Sequence, residues 1–324
     1  MSAILASMTD RQWAFVRAAL PLVVIIALVI LFYSINPRFL STPNVLNLLR
    51  QSAVLLIVAS GLTFVILLGS IDLSIGAVVT FSAIVTSLML SVVEAPAFVA
   101  ITVGIISAVG VGLINGFLIV LGRIPSFVAT LGTMTILGGA TVWLTGGRNV
   151  LFRDETMRWL ASGSTIGIVP NVALWAIIIF AILAFVGTRS HLGRLIMATG
   201  AAPTTTMLSG YNVVRIKVIA FVLSALAAGI GGVLMVARTS AGTIRMGDDL
   251  LLDGIAAVVI GGTALSGGSG GVHKTIIGVA IIAIVKNGLN IAQVHPYTQT
   301  VLTGLIVIFA VALTLDRTRL AFVK

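Results

Sequence analysis

Residues 97–121 read AFVAITVGIISAVGVGLINGFLIVL, twenty-five positions without one charge. A helix of about 20 apolar residues crosses the hydrocarbon core of a bilayer. Whether this one does so depends on its surroundings. The chain has 324 residues, of which 59% are hydrophobic and only 9% charged, and its mean hydropathy is +1.20. Soluble domains carry about a quarter charged residues, and so apolar a chain cannot cover a water-facing surface. It is therefore an integral membrane protein. Nine further apolar segments lie at about 18–35, 52–68, 76–93, 127–146, 172–186, 218–237, 250–265, 276–292 and 300–315. The expected fold is all-α: one polytopic membrane helix bundle, spanning 1–324, with about ten transmembrane helices. Several segments have only 15–17 residues and many hold glycine. Short, Gly-interrupted spans predict broken helices sheltered by protein, and glycine also lets helices approach closely in lipid.

Composition removes several function classes. The chain has no Cys, so disulfides and thiolate metal sites are absent. The net charge of +10 is not interleaved with aromatics as in a nucleic-acid surface. It is the charge that membrane proteins collect on cytoplasmic loops. His191, His273 and His295 are far apart in sequence and form no metal-ligand spacing, so no metal is expected. Gly267–Gly271 lacks a correctly placed Lys-Ser/Thr and reads as a flexible cytoplasmic turn rather than a phosphate cradle. Arg11 and Arg17 precede the first apolar run, but bulky Asn36-Pro37-Arg38-Phe39 follows it, so a retained span is expected rather than a signal peptide.

An even number of spans puts both termini on one side. With the termini inside, eleven Lys and Arg fall on inner segments and seven on outer ones, with Lys286 in a span. The positive-inside rule then predicts cytoplasmic termini. Residues 115–132, NGFLIVLGRIPSFVATLG, weakly resemble residues 287–304, NGLNIAQVHPYTQTVLTG. In this topology the two copies cross in opposite directions, the pattern of an inverted repeat with spans 2–5 and 7–10 as its halves. Chance likeness between two apolar stretches is the competing reading.

The longest inner loop, residues 187–217, has the composition of ordered structure. His191–Thr199 can form a short helix that Gly200 is placed to stop. Pro203 suits the first turn of a second helix, and Gly210 is placed to end it. Such a segment is either a solvated connector or a docking knob for a soluble partner. Here Gly193, Arg194, Ala198, Gly200, Ser209, Gly210, Asn212 and Lys217 match the coupling-loop pattern of the ribose-type ABC sugar permeases, in the branched-chain amino acid/ribose permease superfamily. SIDLSIG at 70–76 and LDGIAAVVIGGTALSGGSG at 252–270 resemble two further motifs of that family, in the same order. The resemblance runs from Asn36 to the tenth span. It implies the membrane subunit of an ATP-driven monosaccharide importer in the bacterial cytoplasmic (inner) membrane. The implied partners are a cytoplasmic ABC ATPase, a periplasmic or lipid-anchored sugar-binding protein, and a second permease copy or sister permease. ATP and magnesium would sit on the ATPase, with no cofactor and no catalytic residue in this chain. The chain departs from the pattern at Ala202-Pro203-Thr204-Thr205, where the family usually has Asn-Glu-Ala-Ala, and at Ser70 and Leu251.

The polar residues within the spans carry two readings each. Asp72, two residues before Ser74, suits a cap for the third helix, and equally a functional intramembrane carboxylate. Asp253, near the outer end of the eighth span, is read in the same two ways. Asn287 and Asn290 share a helix face with Lys286 beside it, and with Asn115 they could line a polar pathway. The alternative is interhelical hydrogen bonding. An ion-coupled secondary transporter would need titratable residues in series, and an intramembrane enzyme would need a nucleophile–base or metal constellation. The spans offer only Asp72, Asp253 and Lys286 for the first, and nothing for the second.

Overall fold

The structure, a computed structural model, describes residues 10–314, with the side chains of 10–20, 307 and 309–314 outside the description. The expectations that rest on Arg317, Arg319, Lys324 and the two chain ends therefore lie outside the described residues, and those on the Arg11 and Arg17 side chains outside the described side chains.

Ten of the described helices coincide with the ten apolar segments. They are α1 (Asp10–Ile35), α2 (Thr42–Leu67), α3 (Ile75–Ser91), α4 (Ala97–Val120), α5 (Ser126–Thr145), α7 (Asn171–Arg189), α10 (Val213–Thr239), α11 (Asp248–Ile260), α12 (Val272–Ile291) and α13 (Pro296–Thr314). Three short helices complete the set: α6 (Glu155–Ser162), α8 (His191–Ala201) and α9 (Pro203–Leu208). Strands β1 (Val150–Leu151) and β2 (Ala241–Gly242) pair antiparallel, Val150 opposite Gly242. The molecule is an all-α, multi-pass membrane bundle. Six helices, α2, α4, α5, α7, α10 and α12, are long and apolar enough to cross a membrane.

The expected eighth span is not a complete one. Helix α11 has 13 residues, about 20 Å at 1.5 Å per residue, against a hydrocarbon core of about 30 Å. The apolar run beyond it, to residue 265, is irregular backbone. Non-helical chain is tolerated at membrane depth where protein covers it, and in this stretch Thr263 is buried, while Gly261, Ala264 and Leu265 are half-buried. Neither α6 nor the β1–β2 ribbon was expected. Helix α6 is amphipathic and brief, and Asp154 caps it by accepting from the Met157 amide at 2.8 Å.

From Ala53 on, helix α2 is buried on every side and forms the centre. Every residue from Ala53 to Leu67 is buried, as expected for a helix without a polar face. Small residues let its neighbour α10 come close. A Cβ added at Gly61 would collide with Ala227, and one at Gly231 would lie 2.7 Å from Val58. Helix α4 packs on α10 in the same way, with Gly112 against Ala225 and Gly229 against Ala108. The outer helices instead expose large apolar side chains, such as Phe98, Ile136 and Trp143. In water that surface would aggregate; in a bilayer it is the lipid-facing coat.

Candidate functional site

Two short helices start against each other. Helix α3 follows an irregular link at residues 68–74, and α11 follows another at 243–247. Their starting turns touch: a Cβ on Gly76 would lie 2.5 Å from the Gly247 carbonyl oxygen, and the Gly247 amide donates to Thr80 Oγ1 at 3.0 Å. Beside this meeting point, against α5, is a cavity of about 510 Å³. Its wall includes Gly76, Thr80, Leu137, Gly138, Thr141 and Leu251. Arg245 and Asp248 form an exposed ion pair at its rim, 2.6 Å apart. This contact raises the Arg245 pKa above its ordinary value, first through the hydrogen bond and then through the charge. Thr80 and Thr141 already donate to their own helices, to the Gly76 and Gly138 carbonyls. The cavity thus offers mostly apolar wall and few free donors.

The link before α3 is held by a polar network. Asp72 is 3% exposed. Its Oδ1 accepts from the Ser74 amide at 3.0 Å and the Ser74 hydroxyl at 2.6 Å, and its Oδ2 accepts from Ser224 Oγ on α10 at 3.2 Å. Among the described residues no Lys, Arg or His pairs with it. The helix cap itself, Ser74, makes no side-chain cap bond, so Asp72 closes the turn ahead of α3. Asn115 extends the network: Nδ2 donates to Ser74 Oγ at 2.9 Å, and Oδ1 accepts from Thr133 Oγ1 of α5 at 2.6 Å. Two amides of the link also reach α5, Ile71 donating to Ser126 Oγ at 3.2 Å and Leu73 to Thr130 Oγ1 at 3.0 Å.

The other polar span residues share no hydrogen bond with this network. Asn287 is buried and exchanges two hydrogen bonds with Asn44, at 2.8 and 3.0 Å. Lys286 forms an ion pair with Asp253 in a cavity of about 260 Å³ that Gln51, Ser52, Arg238 and Asp249 also line. Asp253 is the sixth residue of α11 and does not cap it; Gly247 occupies that place. Asn290 is exposed. Asn115 and Asn287 therefore belong to separate hydrogen-bond groups, and neither lines the cavity beside α5.

Residues 187–217 fold as the two short helices expected. Ser190 caps α8, its hydroxyl accepting from the Gly193 amide at 3.1 Å. Gly193 lies against the carbonyls of Val186 and Gly187, so the turn from α7 is tight. Arg194 is exposed and donates to the Arg189 carbonyl at 3.1 Å. Gly200 does not stop α8, which runs on to Ala201. It serves a close approach instead, since a Cβ there would overlap the Leu67 carbonyl oxygen at the end of α2. The glycine turn at 267–271 is not a free loop either. The Gly268 amide donates to that same carbonyl at 2.8 Å, and Gly267 packs on Gly69. Pro203 opens α9, and Gly210 beyond it has φ +85°, the left-handed conformation that ends a helix. Asn212 caps α10, accepting from the Arg215 amide at 3.0 Å. Ala198 and Ser209 are exposed, Lys217 half-buried. At the tip, Met207 and Leu208 are 58% and 80% exposed.

A sequence model of the permease component of branched-chain amino acid transport systems matches residues 44–311. The chain belongs to that permease family. The ribose import permease proteins of Haemophilus influenzae and Bacillus subtilis are 37% and 38% identical to the permease over 298 and 296 residues. These alignments cover 91% and 90% of the permease and 91% of each relative. The D-allose transport system permease protein of Escherichia coli is 37% identical over 289 residues, 88% of each chain. Among solved structures, none matches the permease. Groups of three or more His, Cys, Asp or Glu able to hold a metal are absent among the described residues.

Proposed function

We propose that this permease is the membrane subunit of an ATP-driven ABC importer for a monosaccharide, a ribose-like sugar or polyol. The sugar follows from the relatives, whose names specify ribose and D-allose import. The observation that carries the ATP-driven reading is the knob of residues 187–217. Its tip presents Met207, Leu208 and Tyr211 outside the bundle, while its base is locked onto α2 by backbone contact. A rigid foot with an apolar tip is the shape of a docking surface. A cytoplasmic ABC ATPase covers it in this reading and supplies ATP and magnesium. Gly193, Arg194, Ala198, Gly200, Pro203, Ser209, Gly210, Asn212 and Lys217 make up the loop's matching surface and turns.

A periplasmic or lipid-anchored binding protein delivers sugar at the opposite end, beside α6 and the β1–β2 ribbon. The exposed apolar face of α5 meets lipid and a second permease, a copy or a sister chain. The permease lies in the bacterial inner membrane with both termini cytoplasmic, as a single domain whose halves are α2–α5 and α10–α13. That Gly76 and Gly247 meet, each at the start of the second helix of its half, supports the repeat. An ion-coupled carrier gains little from the geometry: Asp72 bonds Ser74 and Ser224, the Lys286–Asp253 pair shares neither partner, and among the described residues no titratable side chain joins the two into a relay.

Gentle extraction from the native membrane, followed by mass spectrometry, tests the proposal. An ATPase subunit in stoichiometric amount is expected, and Leu208→Asp is expected to release it. Recovery of the permease alone, even after cross-linking, contradicts the proposal.

A further inference from the structure

The contacts at the base of the knob lead away from it, toward the cavity. Three backbone segments, 67–69, 200–201 and 266–268, meet there almost backbone on backbone. Gly200 lies on the Leu67 carbonyl, Gly268 on Ala201, Gly267 on Gly69, and Gly69 on the Ser266 carbonyl. The bond from the Gly268 amide to Leu67 closes the set at 2.8 Å. Long side chains can absorb a displacement by changing rotamer; backbone packed on backbone at interior density cannot. A shift of α8 is therefore delivered to the end of α2 and to Gly69.

Gly69 begins the link whose far end is gripped by α5. Ser126 and Thr130 are four residues apart, so their hydroxyls share one face of that helix. They accept from the Ile71 and Leu73 amides, alternate N–H groups of the link. Link amides at these positions have no helical partner, and the two hydroxyls satisfy them. Thr133, one turn further on, is tied to the link through Asn115 and Ser74. The next turns of α5 are the cavity wall, Leu137, Gly138 and Thr141. One continuous run of contacts thus joins the knob to the wall.

We propose that the α2–α3 link is the lever through which the 187–217 knob moves α5, with Gly200 as its input and Ser126 and Thr130 as its output. Thr130 is a positioning residue: it fixes where the cavity wall stands relative to the knob. The inference rests on the docking reading of the knob. A coupling of this kind is worth roughly 5- to 150-fold in the coupled equilibrium.

The test uses the permease with its co-purified ATPase and binding protein in vesicles, and reads sugar transported per ATP hydrolysed, with radiolabelled ribose as the probe. Thr130→Val keeps the side-chain shape and removes the acceptor. It is expected to leave ATPase binding and hydrolysis in place while the transport-to-hydrolysis ratio falls at least about fivefold. Thr130→Ser, which keeps the hydroxyl, is expected to restore the ratio, and Ser126→Ala to lower it as Thr130→Val does. If Thr130→Val fails to assemble, Ser126→Ala reads the same quantity. An unchanged ratio in the assembled variants overturns the lever and leaves docking standing. A wild-type permease that recruits no ATPase overturns the docking reading, and the lever with it.

Discussion

Asn287 and Asn44 exchange two amide hydrogen bonds, at 2.8 and 3.0 Å, and Asn44 Nδ2 also donates to the Phe39 carbonyl at 2.8 Å. Asn287→Leu leaves the Asn44 amide facing an apolar neighbour. The expected loss is about 1–3 kcal/mol, the cost of stranding a buried polar group. Replacing both by Leu is expected to cost less than the two single changes summed, because the two amides are removed together and only the Phe39 carbonyl loses its donor. Thermal unfolding of the detergent-solubilised single and double variants measures this; strict additivity would show that the pair does not act as one unit. The sequence marked Asn287 as an unusual residue for a span. It could not mark Asn44, which follows Pro43 in a loop-like stretch 243 positions away. Asp253 and Lys286 were both visible for the same reason as Asn287, yet their pairing was not. It depends on how α11 packs against α12, on which no local pattern reports.

At the scale of the element, Gly200 shows where a sequence rule and tertiary packing diverge. A glycine after a helical run is most simply a stop signal. Here α8 continues through it, because the position is needed bare against the Leu67 carbonyl. Gly110 of α4, by contrast, has nothing within 4 Å of an added Cβ. Gly200→Ala is therefore expected to lower the thermal midpoint. Gly110→Ala is expected to leave it unchanged or raise it, since Ala favours a helix over Gly by about 1 kcal/mol. Equal responses in the two variants would mean that α8 does not sit on α2. The ends of α9 were legible from Pro203 and Gly210, both of which act through their own backbone torsions. The early end of α11 was not, because the apolar run continues through residue 265 and hydropathy does not register a break that protein covers.

At the scale of the whole molecule, composition alone was sufficient for the membrane class and the all-α architecture. The centre of the bundle was harder to find. Helix α2 is no more apolar than α4, yet α2 is wrapped on all sides while α4 keeps an exposed face. Burial here follows from the arrangement of neighbours, which hydropathy does not encode. The orientation can be read directly, because the chain has no Cys. Thr205→Cys in the knob and Arg153→Cys near α6 place one thiol at each end. With a membrane-impermeant maleimide, Arg153→Cys is expected to react in intact cells whose outer barrier has been opened. Thr205→Cys is expected to react only in inverted vesicles. The reverse pattern would move the knob away from the compartment that holds ATP.

The ATP-driven import of a monosaccharide is tested most directly by transport itself. The extracted complex is reconstituted in vesicles with ATP on the knob side and radiolabelled ribose with the binding protein on the other. Accumulation that requires hydrolysable ATP and persists when the proton gradient is collapsed is the expected result. Accumulation without ATP that stops on collapse of the gradient would contradict it.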